Sequence, residues 1–186
     1  MKKIFFIFVT ITLLFSTLEA KEVGGVDLKE SITIENQKLI LNGAGVRSIF
    51  LFDVYVGALY LTKREKDPTL IIESKKPMDI KMIITSSLVT SKKMIDGLID
   101  AFKKAKEAGY DTDKKSMDKF LQVFKEEISK KDVYDFFYDN DKGVMIYKNH
   151  KLYQTIKDFG FKKALYAIWL SKNPAQESLK EKMLGL

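Results

Sequence analysis

The sequence predicts an α+β protein in which an antiparallel sheet is covered by helices on one side. Two observations carry this prediction. Apolar residues follow the strand period in residues 31–62 and 78–88, whereas residues 91–128 follow the helical period. Strands then return in residues 132–156, and a helical segment completes the chain. This order of strands, helices, strands and helices, in a chain of 186 residues, is typical of a single α+β domain.

The first twenty residues, MKKIFFIFVTITLLFSTLEA, have the organisation of a secretory signal peptide. Two lysines precede an apolar run from Ile4 to Phe15, and Ser16 to Ala20 forms a plausible cleavage region. We therefore expect a signal peptide at residues 1–20, a mature domain at residues 21–186 and a periplasmic location. The alternative is an uncleaved anchor, although the run is short of the roughly 20 residues that a membrane helix needs.

The strand-forming half of the chain is read from short alternating segments. Residues 31–43, SITIENQKLILNG, predict two short strands around a turn at Glu35–Gln37. Residues 45–62, GVRSIFLFDVYVGALYLT, predict one or two long strands. Residues 67–77 form a connection with a short apolar element, and residues 78–88, MDIKMIITSSL, predict another strand.

Two helices are predicted next, each with a single apolar face. The first has Ser91 as its N-cap and stops before Gly109, and the second has Asp113 as its cap and an apolar pattern that reaches Ile128. Strands follow, with turns at residues 139–143 and 149–150. A last helix in residues 161–171 precedes a break at Pro174.

Several kinds of chemistry are excluded by the residues that are missing. The chain has no cysteine, which removes disulfides, thiol catalysis and thiolate metal sites. His150 is the only histidine, and it lies in a predicted turn between two lysines, so neither a Ser-His-Asp triad nor a zinc site is expected. Gly43 and Gly45 are only a weak signal for a phosphate-binding loop. We assign no catalytic residue, metal or cofactor.

The formal charge of +7 comes from lysines that are scattered along the chain. On helices such lysines usually form a solvated face. Nucleic acid is an improbable partner for an exported protein, whereas weak contact with anionic lipid headgroups fits the charge better. The sequence does not predict an oligomeric state.

Arg47 stands at the start of an apolar strand and is the first candidate site residue. If residues 47–55 formed one strand without a bulge, Arg47, Asp53 and Tyr55 would share a face. A mostly apolar face with a cation and a phenol suits a ligand that has an apolar body and an anionic head. The alternatives are an ion pair between Arg47 and Asp53, or a guanidinium that extends to water.

Two segments of the chain resemble a known family. Residues 41–61, LNGAGVRSIFLFDVYVGALYL, resemble the Gly-Ala-Gly-x-Arg strand of chalcone isomerase-like proteins, and residues 161–186 resemble the closing segment of their exported bacterial branch. The resemblance implies an open-faced sandwich with a cleft between sheet and helices. Plant enzymes of the superfamily close a chalcone into a flavanone, and another branch holds fatty acids without catalysis. In both, the motif arginine lies at the ligand, and Arg47 matches it.

The remaining family positions favour the branch that binds fatty acids. Tyr55 stands where the enzymes have threonine and the lipid-binding members have tyrosine, and Tyr110 matches a tyrosine near the link between the middle helices. Ser116 and Ile168 fall where the enzymes carry an asparagine and a late hydroxyl. The resemblance therefore implies a binder of a fatty acid or similar amphiphilic anion at Arg47, Tyr55 and Tyr110. An isomerase, or a periplasmic structural or interaction protein with a vestigial cleft, remains as the alternative.

Overall fold

A computed structural model describes residues 20–186 of the chain, so the predicted signal peptide lies outside the described residues apart from Ala20. Within this part of the chain, no helix is both long and apolar enough to cross a membrane. The described strands are β1 (Ala20–Val23), β2 (Val26–Lys29), β3 (Ser31–Ile34), β4 (Gln37–Ile49), β5 (Phe52–Leu61), β6 (Met78–Ile84), β7 (Val133–Asp139), β8 (Gly143–Lys148) and β9 (Lys151–Ile156). The described helices are α1 (Pro68–Glu73), α2 (Ser91–Glu107), α3 (Lys114–Gln122), α4 (Phe159–Leu170) and α5 (Glu177–Met183).

Strands β3 to β9 form one antiparallel sheet in which the spatial order equals the chain order. Strands β1 and β2 form a separate hairpin. The sheet is curled, as contacts between its two ends show. Glu35, at the end of β3, accepts hydrogen bonds from Lys142 Nζ at 2.6 Å and from Tyr147 Oη at 2.9 Å, and both donors lie near the opposite edge. This curled sheet with its helices confirms the predicted α+β class.

The two faces of the sheet bury different sets of residues. On β6, Met78, Ile80, Met82 and Ile84 point to the helices, where they join the apolar faces of α2, α3 and α4 in the main core. A second apolar cluster lies on the other face, to which the β1–β2 hairpin contributes Leu28. One face therefore carries the helices, as the sequence predicts.

Of the one or two long strands predicted in residues 45–62, the structure shows two, which are joined by a tight turn at Phe50 and Leu51. The interpretation that Arg47 and Tyr55 lie along one strand is therefore wrong. Instead, Arg47 on β4 lies directly opposite Tyr55 on β5. The two side chains still share a face, because residues that lie opposite each other in an antiparallel pair point to the same side.

The middle helices begin close to the predicted positions. Thr90 rather than Ser91 is the N-cap of α2, and Asp113 caps α3 as predicted by accepting from the Ser116 N–H at 2.9 Å. Helix α3 ends at Gln122, although the apolar pattern continues to Ile128, which is buried in the turns that follow. The apolar pattern therefore extends to Ile128 because this residue is buried in the core, and not because the helix continues that far.

The glycines of the Gly-Ala-Gly segment allow α5 to pack directly on β4. A Cβ at Gly45 would lie only 2.8 Å from the Cβ of Lys182, and one at Gly43 would overlap the Lys182 carbonyl. Leu179 and Met183 of α5 are buried at this contact. Close helix–strand packing, and not phosphate binding, accounts for the two glycines.

Candidate ligand-binding site

A cavity of about 580 Å³ lies between the sheet and helices α2 and α4. Its walls come from β4, β5, β6, α2, α4 and the segment before α5, and most of the lining side chains are apolar. Arg47 and Tyr55 face this cavity together, as do the ring of Trp169 and the side chain of Ile168. The first two predicted site residues therefore meet in one place.

The guanidinium of Arg47 is held by uncharged oxygen atoms. Nη1 donates to the Ser48 carbonyl at 2.6 Å and to Gln176 Oε1 at 2.9 Å, and Gln176 Oε1 also accepts from the Ser48 N–H at 3.0 Å. These two bonds use both protons of Nη1 and leave the Nη2 and Nε donors for another partner. Arg47 is half-buried, so its position is fixed without full removal from water.

The alternative of an ion pair between Arg47 and Asp53 is not what the structure shows. Asp53 is exposed and accepts a hydrogen bond from Ser48 Oγ at 2.7 Å. Across residues 20–186, no carboxylate lies within ion-pair distance of the Arg47 guanidinium. Its positive charge therefore remains uncompensated by the described chain, at the wall of an apolar cavity.

The hydroxyl group of Tyr55 is buried beside this cation. Tyr55 Oη accepts a hydrogen bond from the indole Nε1 of Trp169 at 2.9 Å, so the hydroxyl proton remains available as a donor. Burial raises the pKa of the Tyr55 phenol, while the Trp169 hydrogen bond and the charge of Arg47 act in the opposite direction. The phenol is therefore neutral at physiological pH, which is the form that can donate to an anion.

Tyr110, the third predicted site residue, does not line the cavity. It lies beyond the C-terminal end of α2, partly buried against the main core. Burial raises the pKa of Tyr110, and the nearby carboxylates of Glu73 and Asp67 act in the same direction. Helix α2 has 17 residues and is about 25 Å long, so Tyr110 lies at the end remote from the helix start that borders the cavity.

Two residues that the sequence did not single out complete the site. Trp169 lies within the helix that is predicted at residues 161–171, and its indole N–H orients the Tyr55 hydroxyl. Gln176 comes shortly after the break at Pro174 and holds Arg47 from 129 positions away. No local pattern marks a glutamine for such a contact, whereas a lone tryptophan facing a predicted cleft could have been noticed.

The family model described as chalcone isomerase-like matches residues 20–185. The chain belongs to the chalcone isomerase-like family. This match confirms the predicted resemblance to the family.

A solved structure supports the same fold for this chalcone isomerase-like protein. A fatty-acid binding protein of Arabidopsis thaliana superposes with a TM-score of 0.69 over 86% of this chain and 92% of its own, at 16% sequence identity. At that identity the likeness shows the fold alone. No curated protein matches the sequence of the chain.

Proposed function

We propose that this chalcone isomerase-like protein binds a fatty acid or a similar amphiphilic anion in the cavity, without converting it chemically. The observation that carries the proposal is the pairing of Arg47 and Tyr55 across β4 and β5, at the wall of a cavity that is otherwise mostly apolar. A cation beside a neutral donor, next to apolar walls, matches the two ends of a long-chain carboxylate.

The head group would bind to Arg47 and Tyr55. Nη2 and Nε of Arg47 remain able to donate, and the Tyr55 hydroxyl has a proton to give, because its oxygen already accepts from Trp169. A charge-assisted hydrogen bond to the guanidinium would contribute about 1.5–3 kcal/mol, and the phenol about 0.5–1.5 kcal/mol. A bound carboxylate would also compensate the charge that the described chain leaves without an acidic partner.

The tail would contribute more to affinity than the head. The cavity volume of about 580 Å³ lies within the roughly 300–1,000 Å³ that is usual for small-molecule sites. Burial of each CH₂ contributes about 0.8 kcal/mol, so a tail of ten methylenes would outweigh the head-group contacts. Arg47 would then mainly set the orientation of the ligand.

A protein of the same fold and the open state of the cavity both support the proposal. The Arabidopsis protein with the same fold is named as a fatty-acid binding protein. A vestigial cleft, which the structural-role alternative requires, would be filled by the chain's own side chains, whereas this chain leaves an open cavity beside Arg47.

The test compares a long-chain fatty acid with its methyl ester, against wild type and Arg47→Ala, by calorimetry. Wild type should prefer the acid, and Arg47→Ala should lose about tenfold to hundredfold of its affinity for the acid while its affinity for the ester changes little. Lys93→Ala is the matched control, because Lys93 is the other cation at the cavity and should not alter the ratio of acid to ester affinity. Equal losses for acid and ester in Arg47→Ala would show that Arg47 does not bind the head group.

We also propose that the protein is exported and acts in the periplasm. The support is the pattern of residues 1–20, where two lysines precede an apolar run and a cleavage region. N-terminal sequencing of protein from the envelope fraction should find a mature chain that begins near Lys21. Recovery of the full-length chain in the membrane would contradict this proposal.

A further inference from the structure

The turn between β4 and β5 presents four consecutive large apolar residues to solvent. We call residues Ile49 to Phe52 the apolar tip. Phe50 is 97% exposed and Leu51 is 95% exposed, and Ile49 and Phe52 are each about half exposed. Scattered apolar residues are normal on a protein surface, whereas a contiguous exposed group at the end of a hairpin marks an interaction site.

The backbone of the apolar tip is also unusual for a turn in water. Phe50 has a φ of +53°, a left-handed conformation that favours glycine and asparagine. The turns at Glu35–Asn36 and Asn149–His150 have positive φ values too, but they use polar residues. An aromatic residue at such a position gains nothing from exposure to water, whereas a partner that buried it would gain its apolar surface.

Several lysines lie at the same end of the molecule as the apolar tip. Lys93 lines the cavity, as Phe50 does, and its Nζ donates to the carbonyl of Leu88, which is itself half exposed at the cavity. The exposed Lys131 is at the same end of the sheet, since its N–H donates to the carbonyl of Ile84, the residue paired with Tyr55. Lys172 is exposed just beyond the end of α4 that carries Trp169. Carboxylates also lie at this end, but each has a partner: Asp53 accepts from Ser48, Asp96 pairs with Lys92, Asp132 with Lys148 and Glu177 with Lys180.

We propose that the apolar tip inserts into the interface of an anionic lipid bilayer, with the lysines at this end of the molecule against the headgroups. Apolar side chains at the level of the acyl chains and lysines at the level of the phosphates are the arrangement that such a surface favours. A second copy of the chain fits less well, because four side chains cannot supply the roughly 800 Å² per partner of a stable interface. Self-association through the tip would also bring the same lysines together.

Insertion would place the cavity entrance at the lipid surface. Ile49, Phe50 and Phe52 of the apolar tip also line the cavity, as does Leu88. An amphiphile could then pass between the bilayer and the cavity without crossing water. Membrane docking itself does not require that the cavity binds a fatty acid, so the two proposals can fail separately.

Vesicle flotation tests the docking with the full chain. Vesicles of phosphatidylcholine and phosphatidylglycerol at 3:1 should bind wild type, and the double variant Phe50→Ser, Leu51→Ser should bind about tenfold less or weaker still. Leu70→Ser is the matched control, because Leu70 is 59% exposed on α1, beyond the opposite end of β5. All variants share the same N-terminus, so a difference in vesicle binding between them is due to the substituted residues. Equal binding of the double variant and wild type would overturn the proposal.

A fluorescent label distinguishes a bilayer from another occupant. The chain has no cysteine, so Leu51→Cys and Leu70→Cys can each carry one environment-sensitive dye. We expect the dye at residue 51 to shift to the blue only when the anionic vesicles are added, and to be quenched by lipid-borne quenchers, while the dye at residue 70 does not change. A shift at residue 51 that follows protein concentration without vesicles would indicate a second copy instead, and no shift in either condition would also overturn insertion.

Discussion

Trp169 of α4 donates its indole N–H to the hydroxyl oxygen of Tyr55 on β5, at 2.9 Å and out of contact with solvent. The bond joins a helix to the sheet across 114 positions of sequence. It also orients the O–H bond of Tyr55, because the hydroxyl proton must point away from the indole N–H from which the oxygen accepts. Tyr55 is therefore prepared to donate toward the cavity beside Arg47.

The first prediction concerns this pair. Tyr55→Phe should weaken binding of a long-chain carboxylate by about 0.5–1.5 kcal/mol, a loss of roughly twofold to tenfold, because it removes one neutral donor. Trp169→Phe leaves the Tyr55 hydroxyl in place and should reduce the preference for acid over methyl ester less than Tyr55→Phe does. Calorimetry with both ligands measures the preference. An unchanged preference in Tyr55→Phe would mean that the phenol does not contact the head group.

The second prediction concerns Gln176, which holds Arg47 through Oε1. Gln176→Glu should pair the guanidinium with an internal carboxylate and so lower affinity for the acid more than Gln176→Ala does. Ser178→Ala is the control, because the Ser178 hydroxyl accepts from Gln176 Nε2 at 2.7 Å and lies one contact further away. Gln176→Glu should leave ester binding nearly unchanged. If it binds the acid as well as wild type does, Gln176 does not position the head-group site.

The third prediction concerns Asp79, whose carboxylate is fully buried and makes no hydrogen bond within the described chain. Burial and the negative charge of Asp135 raise the pKa of Asp79 well above its usual range, although Lys81, which pairs with Asp135, opposes the shift. A carboxyl group with a raised pKa in the folded state favours folding at low pH. That contribution is lost as the pH rises from the pKa of Asp79 in the unfolded state, about 4, through its higher pKa in the folded state.

Asp79→Asn should remove this loss, because asparagine is neutral at every pH. Near pH 4, the free energy of unfolding of the variant should be equal to or lower than that of wild type. As the pH increases, the free energy of unfolding of the variant should rise relative to that of wild type. Urea unfolding at a series of pH values measures the difference. A difference that stays constant from pH 4 to pH 9 would show that Asp79 does not titrate in the folded protein as expected.

The fourth prediction concerns Lys162, whose ammonium group is buried at the end of α1. Its Nζ donates to the carbonyls of Ile71 at 3.0 Å, Ile72 at 2.7 Å and Ser74 at 2.9 Å. Burial lowers the pKa of Lys162 to about 7, the nearby charge of Lys163 acts in the same direction, and the carboxylate of Glu73 opposes the shift. Lys162→Met should lower the free energy of unfolding by about 2–5 kcal/mol, because the carbonyls lose their donor.

Lys163→Met provides the control for Lys162. Lys163 is adjacent in sequence and partly exposed, with its Nζ 3.5 Å from Glu73, so its loss should cost less than about 1 kcal/mol. Denaturant unfolding of both variants gives the comparison. Equal stabilities would mean that the buried hydrogen bonds of Lys162 contribute no more than a surface ion pair.

The fifth prediction is that the protein does not cyclise a chalcone above the uncatalysed rate. The resemblance places the enzymes' asparagine and late hydroxyl at Ser116 and Ile168. Ser116 Oγ donates to Asp158 at 3.4 Å and does not line the cavity, and Ile168 has no polar group to offer. Nothing at these positions would stabilise a developing enolate. A progress curve followed by absorbance decides the matter, and acceleration that disappears in Arg47→Ala would contradict the prediction.

The sequence by itself determined the order of strands and helices from residue 31 onward. Strand and helix periods differ by the spacing of apolar residues along the chain, and this local property survives whatever the tertiary fold does. The Asp113 cap, the turns at residues 139–143 and 149–150, and the exposure of His150 are equally local and follow from residue type. The Gly-Ala-Gly-x-Arg segment was enough to indicate the family.

Only the tertiary structure decided how the site is assembled. No glycine, asparagine or proline marks the turn at Phe50 and Leu51, so the sequence could not show that Arg47 and Tyr55 face each other from two strands. Gln176 reaches Arg47 because α5 packs directly on the glycines of β4, which have no side chains. Tyr110 lies away from the cavity because the length of α2 separates it from Arg47. Contacts between residues more than a hundred positions apart depend on how helices pack on the sheet, and local periodicity carries no record of that packing.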